Sequence, residues 1–127
     1  MKIKEVNQKN FKQISILQKK YNLKTLNEYG PRLLNNYKSF KKIFPIGWIL
    51  IDKIKIVGFV GNLIKKFHIN NNTFYVAASN SLVVDKKYRQ YTLLLLRKFF
   101  NQKKIDFYLN TTPNSATSKI WKKLNSS

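Results

Sequence analysis

Hydrophobic and polar positions change their period several times along this chain, and each change predicts an element. Lys2-Ile-Lys-Glu-Val6 alternates and reads as a short strand. Phe11, Ile14, Leu17 and Tyr21 then recur at helical spacing, with Asn7 placed to cap the helix. Gly30-Pro31 reads as a break, and Pro31 suits the first position of a second helix carrying Leu33, Leu34, Tyr37 and Phe40, closed by Pro45. Gly47 to Ile51 and Lys53 to Val60 are two strands joined tightly at Asp52-Lys53 as a hairpin. Asn70 to Asn72 is a turn, and Thr73 to Val84 is a strand rich in small and β-branched residues.

The second half changes style. After the charged connection Asp85 to Arg89, the run Tyr91 to Phe100 is apolar on most sides. It predicts a helix near 90–103 clamped against a sheet rather than lying on the surface. Ile105, Phe107 and Leu109 alternate with Asp106, Tyr108 and Asn110, a strand. Thr112-Pro113 then supplies a cap and a first helical residue for a last helix carrying Ala116, Ile120, Trp121 and Leu124. The order is β-α-α-β-β-β-α-β-α, an α+β domain. Strands near 47–52, 54–65 and 73–84 are expected to form an antiparallel meander. The strand at 105–110 should lie parallel to 73–84 through the crossover helix.

Length and composition narrow the classes. At 127 residues, 43% hydrophobic, the chain reads as a single domain, 1–127, with enough apolar material for a core. No run approaches the roughly 18 apolar residues of a membrane span. The polar start MKIKEVNQKN does not read as a secretory leader, and the chain has no cysteine. A cytoplasmic location is the expectation. One histidine and five scattered carboxylates give no pattern for a metal site.

The net charge of +20 attracts polyanions. Only three of the 25 cationic residues are arginine, however, and the lysines cluster no more densely than pairs such as Lys41-Lys42 and Lys86-Lys87. Arginine is the residue preferred for planar, bidentate phosphate recognition. The charge therefore reads as a solvated basic surface ahead of a dedicated nucleic-acid surface. Gly58-Phe-Val-Gly-Asn-Leu63 does come close to the short aromatic hexamer of RNA-recognition motifs, which stack bases on strand aromatics. The hexamer should lead into a helix, whereas here the strand continues, and its Lys/Arg-Gly-Phe/Tyr partner motif is absent downstream. A core Phe59 beside a bulge at Gly61 is the simpler reading.

Three fragments, in order, carry a different resemblance. Ile56-Val-Gly-Phe-Val60 has a "V-G-F" step on a strand, with Gly47 to Ile51 before it. Leu82-Val-Val-Asp-Lys-Lys-Tyr-Arg89 looks like "L-x-V-x-P-x-Y-R", with Lys86 in place of Pro. Asn114-x6-Trp121-Lys-Lys-Leu124 looks like a terminal "N-x6-Y-E-K-L". Together they resemble the GNAT superfamily of acyl-CoA-dependent N-acetyltransferases over about two thirds of the chain.

The resemblance implies a GNAT-like mixed sheet, C-terminally short because the closing two strands are missing. It implies acetyl-CoA or another acyl-CoA as co-substrate and a small-molecule amine as acceptor. The alternatives are a non-catalytic basic module binding RNA or another polyanion, and a GNAT-like pseudoenzyme. The cofactor-binding positions it implies are Leu82, Val83 and Val84 through their backbone, the loop Arg89, Gln90, Tyr91, Thr92, Leu93 and Leu94, and Asn114. A pyrophosphate suits unsatisfied amides at the start of a helix near Gln90. The family's loop reads Q/R-x-x-G-x-G/A; here Arg89 is kept while Thr92 and Leu94 stand at the small positions. Trp121 stands where the family has its tyrosine acid, and an indole N–H is a poor proton donor. No general acid or base is assigned: His68 reads as a surface imidazole and Asp85 as a junction residue. A sheet edge left open at the C-terminal side would favour self-association or a partner strand.

Overall fold

The computed structural model describes residues 1–40 and 43–110. The elements are β1 (Lys2–Glu5), α1 (Phe11–Lys20), α2 (Leu26–Ser39), β2 (Gly47–Asp52), β3 (Lys55–Ile69), β4 (Asn72–Val84), α3 (Thr92–Phe100) and β5 (Phe107–Asn110). They form one five-stranded sheet in the order β1-β2-β3-β4-β5. The first three pairings are antiparallel and β4 pairs β5 in parallel, as the meander and crossover required. The mixed α+β order matches the sequence through β5; the expected last helix lies outside the described residues.

The core has two layers, one on each face of the sheet. On one face, Ile14 and Leu17 of α1 and Leu26 and Leu33 of α2 bury against Ile49, Phe59 and Val83. On the other, Leu95 and Phe99 of α3 bury against Trp48, Leu50, Val57 and Val84. α3 is thus covered by the sheet, as its apolar run predicted. No helix among the described residues is long and apolar enough to cross a membrane.

Several boundaries differ from the sequence expectation, each for a local reason. Asn7 caps a single 3-10 turn, Gln8–Asn10, in a reciprocal capping box with Asn10, and α1 follows it. α2 begins at Leu26, so Gly30-Pro31 lies inside the helix rather than breaking it. The amides of its first turn are capped from α1: Leu26 N–H donates to Gln18 Oε1 at 2.8 Å and Asn27 N–H to Ser15 Oγ at 3.1 Å. That tertiary capping, with Leu26 fully buried, outweighs the loss of one helical hydrogen bond at Pro31. Gly30 lets the two helices approach, since a Cβ there would lie 2.9 Å from Cε2 of the Phe11 ring.

The first hairpin turn is Lys53-Ile54, not Asp52-Lys53, because Asp52 still pairs with Lys55 and Lys53 takes φ 58°. In the second hairpin Asn70 and Asn71 both have positive φ, the requirement of a type I′ turn, and β3 extends to Ile69. The crossover helix is shorter than 90–103: Lys86–Tyr91 winds as a 3-10 segment and α3 starts at Thr92. The last strand starts at Phe107 rather than Ile105.

Candidate active site

β4 pairs with both β3 and β5. Pairing with β5 runs from Val76↔Phe107 to Ser79↔Asn110, so among the described residues Asn80–Val84 pair only with β3. That same segment is irregular. Phe59 pairs with Val83 and Gly61 with Asn80, so Val60 alone faces both Ser81 and Leu82, and Ser81 adopts φ 54°. This is a bulge with its extra residue on β4, and it brings Asn80 and Ser81 toward the α2 side. Gly61 is small because a Cβ there would lie 2.9 Å from the Asn80 carbonyl oxygen.

A polar chain meets the bulge from α2. Gln18 is fully buried; its Oε1 accepts from Leu26, which orients Nε2 to donate to Tyr29 Oη. Tyr29 in turn hydrogen-bonds the Ser81 side chain, and burial raises its phenol above the ordinary value. Ser81 Oγ donates to Asn80 Oδ1 at 3.1 Å. The sequence reading passed over this cluster. The signal was there in Ser79-Asn80-Ser81, a polar triplet interrupting an otherwise apolar strand.

At its C-terminal end β4 runs straight into the basic 3-10 segment. Asp85, at the junction, is 7% exposed; its amide donates to the Val57 carbonyl at 2.7 Å. Tyr21 Oη donates to Asp85 Oδ1 at 2.6 Å, and Lys20 Nζ lies 3.2 Å from both carboxylate oxygens. The Tyr21 hydrogen bond, with Lys20 adding to it and burial opposing, holds the Asp85 carboxyl below its ordinary range. Asp85 is a tethered carboxylate rather than a free base. Tyr88 Oη donates to Asp52 Oδ2 at 2.6 Å, fastening the segment to the first hairpin as well.

The residues singled out from sequence fall as follows. Leu82, Val83 and Val84 are the last three of β4, with Val83 and Val84 buried on opposite faces. Arg89, Gln90 and Tyr91 end the 3-10 segment, and Thr92, Leu93 and Leu94 are the first three residues of α3. Arg89 and Gln90 are exposed, and Leu94 is 39% exposed. These positions are therefore contiguous along one end of the sheet. The Thr92 hydroxyl donates to the Arg89 carbonyl at 2.7 Å. Asn114 and Trp121 lie outside the described residues. His68 is exposed near the Asn70-Asn71 turn, with Nδ1 3.1 Å from Thr73 Oγ1, at the far end of β3 from this segment. Phe59 is fully buried, so it presents no ring for a base to stack on, and Trp48 packs edge-on against Phe99 inside the core.

No sequence-family model and no curated protein matches the chain. Solved structures do match it. Glucosamine-6-phosphate N-acetyltransferase from Arabidopsis thaliana aligns over 99% of this chain and 90% of its own, at 13% identity and a TM-score of 0.74. A predicted acetyltransferase with acetyl-CoA from Clostridium acetobutylicum aligns over 98% and 88%, at 14% identity and a TM-score of 0.75. A GNAT family acetyltransferase from Staphylococcus aureus aligns over 89% and 87%, at 17% identity and a TM-score of 0.60. The chain has the GNAT acetyltransferase fold. Within that fold, this chain has a bulged end of β4 that leads into a basic turn and α3.

Proposed function

We propose that this GNAT-fold chain is an acyl-CoA-dependent N-acyltransferase, moving an acetyl group from acetyl-CoA to the primary amine of a small molecule. The observation that carries the reading is the bulged β4 segment Asn80–Val84, which leads directly into a cationic turn. An amide-bearing pantetheine arm would suit this segment by pairing with the backbone of Leu82 to Val84 as an added strand does. Lys86, Lys87 and Arg89 follow within five residues of Val84, suiting the phosphates at the other end of the same molecule. Gln90 to Leu94 would flank that phosphate position, and Asn114 would contact the cofactor from the residues after β5.

The chemistry is direct attack of a neutral amine on the thioester carbonyl, with C–N forming, C–S breaking and the amine proton leaving. The chain's part is to orient the pair, exclude water and stabilise charge on the carbonyl oxygen and the departing sulfur. The Tyr29–Ser81–Asn80 hydrogen bonds fix the bulge beside which the thioester would lie.

Titration with coenzyme A tests the reading. Saturable binding that raises the melting temperature by mass action is the expected result. Arg89→Ala should weaken it by at most the roughly 1.5–3 kcal/mol of a charge-assisted hydrogen bond. Failure to bind coenzyme A at low salt, with folding intact, overturns it. A short RNA that competes effectively, with affinity collapsing as salt rises, would favour a basic polyanion-binding module instead.

A further inference from the structure

A phosphate group bound at the β4–α3 turn could be held by backbone amides or by side chains. Three amides of the turn are already paired. Lys86 N–H donates to Tyr21 Oη at 2.7 Å, Tyr88 N–H to the Asp85 carbonyl at 2.7 Å, and Thr92 N–H to the Arg89 carbonyl. The 3-10 winding between them turns further amides onto carbonyls three residues back. The Thr92 hydroxyl is committed to the same Arg89 carbonyl. Within the 3-10 segment, recognition of an anion therefore falls to side chains.

Among Lys86, Lys87 and Arg89, one lies over an aromatic ring. The Arg89 guanidinium carbon lies 5.7 Å from the centroid of the Tyr21 ring. Tyr21 is itself fixed, since its hydroxyl donates to Asp85 and accepts from Lys86 N–H at the same time. Asp85 is pinned in turn by Val57 and by Lys20, the one ion pair among the described residues. Arg89 makes no side-chain hydrogen bond within the described residues. A guanidinium over a ring face leaves its N–H donors available to an anion.

We infer that this chain reads the phosphates of its acyl-CoA through the side chain of Arg89 and that Tyr21 is the positioning residue that aims it. The inference rests on the acyl-CoA reading above and assigns to side chains what a glycine-containing loop does with amides. Tyr21 sits 64 residues before Asp85 in sequence, and its helical spacing marks it only as a core position.

The test compares coenzyme A with pantetheine, which lacks the phosphates, on the full chain and its variants. Arg89→Gln should weaken coenzyme A about 10- to 100-fold, as a lost charge-assisted contact does, and leave pantetheine unchanged. Lys86→Gln and Lys87→Gln should each cost about 2- to 5-fold, the range of exposed charges. Tyr21→Leu should cost about 2- to 10-fold, and combined with Arg89→Gln it should add nothing, because both act through one contact. Arg89→Lys should not restore binding, since an ammonium is neither planar nor forked. Tyr21→Phe keeps the ring but frees the turn, and serves if Tyr21→Leu does not fold; a smaller loss in the same direction is expected.

Equal effects of Arg89→Gln and the lysine variants, full rescue by lysine, or multiplying losses in the double variant would overturn the assignment while leaving the acyl-CoA reading standing. Binding of neither ligand by the wild type would overturn both.

Discussion

Asn62 on β3 and Gln102 just beyond α3 hold each other by both edges of their amides. Asn62 Nδ2 donates to Gln102 Oε1 at 2.8 Å, and Gln102 Nε2 donates back to Asn62 Oδ1 at 3.0 Å. Asn62 is 2% exposed and also donates to the Pro45 carbonyl at 3.0 Å. Gln102 further donates to the Phe99 carbonyl, so this pair fastens the end of the crossover helix to the sheet. Gln102→Ala leaves a buried amide short of partners and should cost about 1–3 kcal/mol in a urea denaturation. A cost near zero would show that water replaces the glutamine.

Glycine at two positions should respond differently to the same methyl group. At Gly47 a Cβ would run into the Val60 carbonyl oxygen, which is backbone in the middle of the sheet. At Gly30 it would meet the far edge of the Phe11 ring, which can swing. Gly47→Ala should destabilise by about 1–3 kcal/mol or prevent folding. Gly30→Ala should be close to neutral, because helix propensity offsets the ring's displacement. Thermal melts of the two variants measure the contrast.

Asp85 sets an acid limit. Its carboxyl is held low chiefly by the Tyr21 hydroxyl, so the stabilisation is fully present above the ordinary aspartate range of about 4. It is lost as pH falls through the lower folded value. Asp85→Asn should be less stable than the wild type at neutral pH, and the gap should close below about pH 4. Paired denaturation curves between pH 7 and 2 measure it, and a gap that stays constant to the acid end would contradict the tether.

Tyr88 sets the opposite limit. Its hydrogen bond to Asp52, with burial adding, raises the phenol above its ordinary value of about 10. Stability from this group is complete below that value and is lost as pH rises through the raised one. Tyr88→Phe should be less stable at pH 8, with the difference shrinking above about pH 10. Absorbance titration of the phenolate, compared between wild type and variant, locates the raised group.

Much of the fold was legible along the chain because its signals are local. Strand alternation, the Asn70-Asn71 turn and the uninterrupted apolar run of α3 each depend on residues within one or two turns of each other. The start of α2 was not legible, because the groups that cap it, Gln18 and Ser15, stand on another helix and override the Gly-Pro signal. The 3-10 winding of Lys86–Tyr91 was missed for the same reason: Tyr21 and Asp52 hold the segment from elements far away in sequence.

The sequence by itself determined the order of elements through β5 and the parallel crossover. Period, turn chemistry and residue type suffice for that. Only the tertiary structure decided where the bulge at Ser81 falls and which side chains brace the turn. Those depend on contacts between residues 19 to 64 apart in sequence, which no local pattern encodes. Arg89 stood out in the sequence as a rare arginine in the connection after β4. That it rests on Tyr21 follows only from folding α1 against the end of β4.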